Sequence, residues 1–265
     1  MEITVPTSWD DITLQKYINL RPILNTEMSD IQRVINILCV LTGEKKEVIK
    51  NVSLDDYHKI KKKLAFLNTE LPNTLKNKRF KIGSHWYEFK LDAKKLLFGE
   101  YINNMEILQD AKDNQEVIFN NLHKILTTIC RPIEKKRFRW RDVKVTGEVV
   151  RETADNFLEN MPISIAYPIG VFFLQSLTEL NKRYKNLFDS ESEDDNERVK
   201  RGTGFAERWG WWVTLDNLTN SRIDKWDEIL AWEVIKALNV VAYYSDKQKM
   251  ERQAHSESMQ KLKRR

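Results

Sequence analysis

Glycine and proline are scarce in this chain, with eight glycines and six prolines among 265 residues. Both residue types favour turns and interrupt helices, so their scarcity disfavours an all-β or loop-rich fold and favours long helices. Hydrophobic residues make up 41% of the sequence, which is enough for one large or two modest cores. We predict a mainly α protein: a multi-helix bundle-like fold with one or two small β-hairpins.

Three serines near the start of the chain stand where helices should begin. Ser8 and Asp11 have capping-box spacing at the start of a helix predicted over "DDITLQKYINL". Ser29 precedes "DIQRVINILCVLTG", and Gly43 is placed to end that helix. Ser53 precedes "LDDYHKIKKKLAFL" in the same way. These signals predict short capped helices in the first third of the chain.

The next segment switches to an alternating pattern. "RFKIGSHWYEFKL", at about residues 79–90, flanks Gly83 and Ser84 with alternating side chains and predicts a small β-hairpin. Asp92 is placed to cap a helix through "AKKLLFGEYINNMEILQDAK". A further helix is expected through "NQEVIFNNLHKILTTIC", up to Arg131 and Pro132.

These patterns predict three regions. They are an N-terminal helical region at 1–130 with its hairpin, a basic extended or hairpin segment at 131–148, and a C-terminal helical region at 149–265. The C-terminal region should contain an acidic mobile loop at 189–204, because that stretch has few apolar residues to bury. Its acidic contact residues are Asp189, Glu191, Glu193, Asp194, Asp195 and Glu197.

The basic segment "RPIEKKRFRWRDVK" interleaves cations with aromatic residues. In a strand, alternation would place Arg137, Arg139 and Arg141 on one face and Phe138 and Trp140 on the other. Such a strand can have a solvated or partner-facing basic side, can contact phosphates of a nucleic acid, or can pair with the acidic loop of the same or another subunit. We select Lys135, Lys136, Arg137, Arg139, Arg141 and, from the C-terminal region, Trp211 as candidate contacts for a partner or polyanion.

Three tryptophans crowd into "RWGWWVTLDNL". In a helix, Trp209 and Trp212 share a face with Leu215, and Phe205 lies a turn earlier, so this stripe is predicted to be core. Trp211 points away from the stripe and is the better candidate for an interface anchor.

Signals of chemistry are weak. The four histidines are scattered without other ligands at metal-binding spacing, and there is no Walker-type loop, dinucleotide-binding glycine pattern or G-x-S-x-G motif. We therefore expect no enzyme, no metal and no cofactor. Cys39 and Cys130 lie in apolar patterns and are predicted to be buried thiols, which fits a reducing compartment.

Membrane insertion is not expected either. The start "MEITVPTSWDD" lacks an apolar run typical of a signal peptide. The most apolar stretch, "MPISIAYPIGVFFLQSL", is shorter than the roughly 20 residues that span a bilayer, and Pro168 and Gly170 interrupt it.

Several segments together resemble a family of tailed-phage morphogenesis proteins. They are "VPTSWDDITLQKYINL", with a W-[DN]-D-[IV]-T-x-x-[QK]-Y pattern, "LFGEYINN", and the distal "RWGWWVTLDNL" with "IDKWDEILAWEVIKALNVVAYYSDKQKMER". The N-terminal match covers Trp9 to Leu20 and the C-terminal match covers roughly Trp209 to Asp246. The family is described as tail assembly chaperones or tail-associated proteins of Bacteroidetes-type phages. The middle of the chain has no counterpart in this resemblance.

The resemblance implies a non-enzymatic role through protein–protein contacts in tail or connector assembly. The implied partners are other phage tail or connector proteins, and a homo-oligomeric ring is plausible because such assemblies are cyclic. The implied location is the host cytoplasm during assembly, with retention in the virion left open. The alternative is a nucleic-acid-binding phage protein that uses the basic residues at 131–144.

Overall fold

The computed structural model describes residues 5–51, 53–89, 95–112, 114–136, 139–143, 147–188 and 209–263. Within these ranges the chain is mainly α-helical with one small antiparallel sheet, which confirms the predicted fold class. The chain divides into two compact units, each built from two separate stretches. Unit 1 contains Met1–Leu91 and Leu108–Leu174, and unit 2 contains Asp92–Ile107 and Gln175–Arg265. The three regions expected from the sequence divide the chain at other positions.

The helices and strands follow in chain order. The α-helices are α1 Leu14–Asn25, α2 Asp30–Thr42, α3 Lys46–Lys50, α4 Leu54–Lys63, α5 Phe98–Ala111, α6 Gln115–Asn120, α7 Leu122–Thr127, α8 Gly147–Asn160, α9 Ile163–Arg183, α10 Lys185–Phe188, α11 Trp211–Thr219, α12 Trp226–Leu230 and α13 Val234–Lys263. Short 3₁₀ helices occupy Trp9–Asp11, Leu64–Asn68 and Ile223–Lys225. The strands are β1 Arg79–Ile82, β2 His85–Phe89, β3 Cys130–Lys136 and β4 Arg139–Asp142.

The helix starts predicted at Ser29 and Ser53 are confirmed. The side chains of Ser29 and Ser53 accept hydrogen bonds from the first turns of α2 and α4, and Gly43 ends α2 in the left-handed conformation. Ser8 and Asp11 form the predicted capping box, but around the 3₁₀ turn that precedes α1. The backbone N–H of Thr7 donates to Asp11 Oδ2 at 2.9 Å, and this bond is the largest cause of a lowered pKa of the Asp11 carboxyl.

The segment after the first hairpin departs from the sequence prediction. The expected helix from Asp92 begins only at Phe98, and Asp92 itself lies outside the described residues. The helix expected up to Cys130 is two short helices that meet at Asn121, and Cys130 starts a strand. Asn121 Nδ2 donates to the Val117 carbonyl at 3.0 Å, a local bond by which asparagine competes with the helical ladder.

The apolar helix α9 runs without interruption through Pro168 and Gly170, although both residues interrupt the apolar stretch of the sequence. Gly170 permits close packing, because a Cβ atom there would lie 2.8 Å from Leu122 Cδ1. By length and composition Ile163–Arg183 could cross a membrane, and half of its most apolar window is buried within the protein. Both properties are also typical of core helices.

The sheet of unit 1 joins the two hairpins in the order β1-β2-β3-β4, antiparallel throughout. This confirms the first hairpin, and of the two alternatives for the basic segment it shows the hairpin. One face packs on α8: the rings of Tyr87 and Phe157 are 4.7 Å apart, and Asn156 Nδ2 donates to Tyr87 Oη at 3.0 Å. Phe157 and Cys130 are fully buried in this unit, whereas Cys39 is half-buried.

The opening motif is part of the unit 1 core. The Trp9 indole is buried, and its Nε1 donates to Thr69 Oγ1 at 3.3 Å. Leu14 N donates to the Met161 carbonyl, which ties the start of α1 to the end of α8. The residues that carry the N-terminal resemblance therefore hold this unit together.

Unit 2 is built around α13 and the start of α5. Phe98 and Tyr101 are fully buried, and the Tyr101 hydroxyl donates to Asn181 Oδ1 at 2.7 Å. The Tyr184 hydroxyl donates to Asn239 Oδ1 at 2.7 Å, which anchors the first half of α13. Every residue from 246 to 262 is exposed, so the polar tail continues as a helix with a solvated surface.

Candidate partner-binding face of the sheet

The face of the sheet opposite α8 is rich in exposed aromatic and charged side chains. Side chains alternate along strands, so the register assigns one set of residues to this face. We call this set the open face: Arg79, Lys81, Trp86, Glu88, Arg131, Ile133, Lys135, Trp140 and Asp142. Its four basic residues outnumber its two acidic residues, so the surface is cationic around its tryptophans.

Two tryptophans meet at the centre of the open face. The ring centroids of Trp86 on β2 and Trp140 on β4 are 5.2 Å apart, with their planes tilted by 59°. The strands β2 and β4 are separated by β3, hence by roughly 10 Å between backbones. Both indoles therefore lean over β3, where Ile133 lies opposite Trp86 and is only 5% exposed. Trp86 itself remains 39% exposed.

Cations surround this tryptophan pair. The Arg79 guanidinium lies 5.7 Å from the Trp140 ring centroid, and Lys135 Nζ lies 6.0 Å from the same centroid. Arg79 Nε also donates to Glu88 Oε1 at 2.7 Å, which orients the guanidinium beside the ring. Cations at these distances are attracted to the face of an indole. The arrangement presents flat apolar surface bordered by positive charge.

A cavity of about 530 Å³ adjoins the open face at the β1 edge. Trp86, Lys81 and Arg79 form part of its lining, together with residues of the loop before β1. Asp10 lines it as well, and accepts a hydrogen bond from the Ser164 hydroxyl. The open face thus continues into a concave surface of unit 1 that contains both charges and apolar side chains.

The structure separates the basic residues that the sequence grouped together. Lys135 lies on the open face beside Trp140, whereas Lys136, Arg139 and Arg141 alternate onto the other face of the hairpin. Arg139 and Arg141 are exposed and share one face, as alternation predicted. Lys136 Nζ forms an ion pair with Glu134 Oε1 at 2.8 Å.

Other predicted site residues fall outside the described ranges. They are Arg137 of the basic segment and the acidic residues Asp189, Glu191, Glu193, Asp194, Asp195 and Glu197. Phe138 is outside them too. Trp140 lies half-exposed on the open face, because the side of the sheet that packs on α8 is the side of Arg139 and Arg141.

Sequence reasoning missed Trp86, Arg79 and Lys81 as parts of a site. The signal was present in "HWYEF", where alternation places Trp86 and Glu88 opposite the buried Tyr87 and Phe89. The pairing of β2 with β3 was needed to bring Trp86 to Trp140, and that pairing joins residues far apart in the chain.

The tryptophans of unit 2 are placed differently from the prediction. Trp209 and Trp212 are 46% and 42% exposed, so the prediction that they form core is wrong, although Leu215 is buried. The Trp212 ring packs on Trp226 at 5.2 Å. The predicted anchor Trp211 makes edge contacts with Phe98 and Tyr101 at 5.7 and 5.6 Å within unit 2. The helix α11 begins only at Trp211, after Gly210 at φ 44°, so Trp209 does not continue the helical spacing that the prediction assumed.

Titratable groups are dispersed among the described residues. No group of three His, Cys, Asp or Glu side chains in this part of the chain is placed to hold a metal ion. Burial raises the pKa of the Tyr101 hydroxyl and of the Cys130 thiol far above their usual values, which keeps both protonated. A buried, protonated thiol is a packing residue and a poor nucleophile.

The open face presents groups that suit binding. Its indoles can contact an apolar or aromatic group, and its cations can contact carboxylates or phosphates.

A scan against models of protein families, a search of the curated proteins and a search of the solved structures each found no match to this chain.

Proposed function

We propose that this chain is a non-enzymatic bacteriophage protein of tail or connector assembly, and that it works by binding other phage proteins through the open face of its sheet. The observation that supports this most is the pair formed by Trp86 and Trp140. Large aromatic side chains in an exposed patch are typical of protein-binding surfaces. The bordering cations resemble the polar rim of an interface.

The energetics favour a binding role for this pair. Covering an exposed apolar side chain contributes on the order of 25 cal/mol for each Å² removed from water. The indoles already rest on each other and on β3, so they lose little freedom when a partner covers them. Arg79 and Lys135 would steer an acidic partner and fix its orientation.

The resemblance supplies the biological setting of the proposal. The opening "SWDDITLQKY" and the distal "RWGWWVTLDNL" are the segments similar to tail assembly proteins. On this basis the partners are tail or connector proteins in the host cytoplasm, and copies of the chain form a ring. The proposal has two forms. In one form the chain is an assembly chaperone, and in the other it is a structural component that stays in the finished virion.

The open face can be tested by genetic complementation. A phage that lacks the gene is supplied with the wild-type chain or with the double variant Trp86→Ala, Trp140→Ala, and tailed particles are counted by electron microscopy. We expect a folded double variant and at least a tenfold loss of tailed particles. The control is Ile31→Ala, which removes a 62% exposed side chain on α2 of unit 1. Full assembly with the double variant would refute the open face as the contact.

Mass spectrometry of purified particles decides between the two forms of the proposal. Many copies of the protein in the virion would indicate a structural component. A protein that is required for assembly but absent from the virion would be a chaperone. A gene whose loss leaves tail and connector assembly unchanged would contradict both forms.

A nucleic-acid role is the second candidate, since one observation favours it. Proteins that bind single strands stack bases on aromatic side chains and contact phosphates with Lys and Arg, and the open face presents both groups together. Fluorescence anisotropy with a labelled oligothymidine tests this. Binding that weakens steeply between 50 mM and 200 mM salt, by about tenfold or more, and requires Trp86 would support it. Undetectable binding at 50 mM salt would exclude it.

A further inference from the structure

A second concave site of unit 1 lies away from the sheet, between α1, α6 and α9. It is a cavity of about 410 Å³, a size typical of pockets that take a small ligand or a few side chains. Its floor is aliphatic and includes Leu122, Val171 and Leu174. The close contact of Gly170 with Leu122 sets the position of this floor, because no larger residue fits there without moving the leucine.

Three aromatic rings form the wall of this cavity. Phe119 and Tyr167 are nearly parallel, with centroids 6.3 Å apart and an interplanar angle of 7°. Tyr17 meets Phe119 at 5.7 Å with a tilt of 52°. Each ring is only half-buried, so ring surface remains open to the cavity. A further aromatic group could pack against these rings in offset or edge geometry.

One residue supplies all the formal charge of the lining. Arg21 is half-buried, and its guanidinium lies over the Phe119 ring, 4.0 Å from the centroid. Its Nη1 donates to the Gln115 carbonyl at 3.3 Å, which fixes the group at the rim. A guanidinium has five N–H donors in a fork that suits a carboxylate. No acidic residue is among the described residues that line the cavity.

We propose that this cavity is a docking site for a protein segment that carries an aromatic side chain next to an acidic residue. The aromatic side chain enters between Tyr17, Phe119 and Tyr167, and the acidic residue accepts hydrogen bonds from Arg21. Charge complementarity selects the acidic neighbour, because Arg21 is the cation at the rim of an otherwise uncharged lining. The inference rests on the proposed function only in that the occupant is a protein, and it names a site separate from the open face.

Short peptides test this site without any phage component. The probes are acetyl-Gly-Trp-Glu-Gly-amide and the matched acetyl-Gly-Trp-Gln-Gly-amide, titrated into methyl-labelled protein and followed by NMR. We expect saturable shifts of the Leu122 and Leu174 methyl signals, with the glutamate peptide binding about tenfold more tightly. Equal affinity for the two peptides, or no saturable shift at millimolar peptide, would overturn the proposal.

Two variants assign the contacts. Arg21→Ala should weaken the glutamate peptide about tenfold and leave the glutamine peptide within about twofold, since it removes the charged hydrogen bond. Val171→Phe should abolish binding of both peptides because it fills the cavity from its floor. Arg151→Ala, which removes an exposed arginine on α8, is the matched control and should leave both affinities unchanged.

The remaining outcomes separate this site from the open face. Free indole that binds as tightly as the glutamate peptide would show a small-molecule cavity and refute peptide docking. Peptide binding that Arg21→Ala leaves unchanged would also refute it. The two proposals can also fail separately. If the Trp86 and Trp140 changes abolish tailed particles but the peptides do not bind, the open face remains the proposed contact and the docking site in this cavity is refuted.

Discussion

At the scale of single residues, we expect His123 to make the free energy of unfolding depend on pH. This histidine of α7 is buried. Burial is the largest cause that lowers the pKa of His123, and the neighbouring charge of Lys124 adds to it. Asp155 acts in the opposite direction without reversing the shift.

The sign of the pH effect follows from these causes. Below the usual value of 6.5, the unfolded chain binds a proton at this imidazole that the folded chain binds less readily. The free energy of unfolding should therefore fall as the pH drops through 6.5 toward the lowered folded value. His123→Phe keeps a ring and removes the proton site, so its unfolding free energy should fall less between pH 7.5 and 5.5. Urea titrations at the two pH values measure this, and equal losses for both proteins would contradict it.

The left-handed backbone conformation of Gly43 predicts that another residue at this position would destabilise the protein. It ends α2 at φ 75°, and a Cβ atom added there would have no neighbour within 4 Å, so Gly43→Ala adds backbone strain but no clash. We expect the free energy of unfolding to fall by about 1 kcal/mol. Gly147→Ala is the control, because that glycine has open space and no positive φ at the start of α8. It should be neutral or stabilising by up to about 1 kcal/mol. Similar losses for both variants would argue against strain at Gly43.

At the scale of elements, local signals predicted more than distant ones. Ser29, Ser53 and Gly43 act within one helical turn, and their helices begin and end where the sequence indicated. The β1–β2 hairpin needed only its own turn residues. The pairing of β2 with β3 was not predictable, because alternation describes each strand and not its neighbour across the sheet. The open face depends on that pairing, which is why Lys135 is the one residue of this face that was selected from the sequence.

The long helix α13 gives a prediction at this scale. Its first half contributes the fully buried Val234, Ala237 and Leu238, while residues 246–262 are exposed throughout. A chain truncated after Ser245 should keep its free energy of unfolding within about 1 kcal/mol, since the described residues from 246 to 262 are all exposed. Leu238→Ala is the contrasting variant and should cost about 2–5 kcal/mol. Chemical denaturation compares them, and a truncation loss above about 2 kcal/mol would mean that the distal half packs on another molecule.

At the scale of the whole molecule, charge distribution is the property that assembly would use. The formal net charge is only +5, yet bases are concentrated in the β3–β4 hairpin and acids in the stretch from Asp189 to Glu197. In a ring of identical subunits, a surface can meet a different surface of its neighbour. The exposed Arg139 and Arg141 lie on the face of the hairpin opposite Trp140, so charge pairing and tryptophan contacts can be altered separately.

This separation yields the prediction for self-association. Changing Arg137, Arg139 and Arg141 to Gln should shift the oligomer to smaller species in light scattering coupled to size exclusion, and added salt should do the same to the wild-type chain. Changing Lys45, Lys46 and Lys50 to Gln removes the same charge from the exposed surface of α3 and its N-cap, and should leave the mass unchanged. The contrary outcome is an arginine variant that keeps the wild-type mass and a Trp86→Ala, Trp140→Ala variant that loses it. The subunits would then meet through the indoles of the open face. Added salt would leave that association intact, because salt screens charges but not apolar burial.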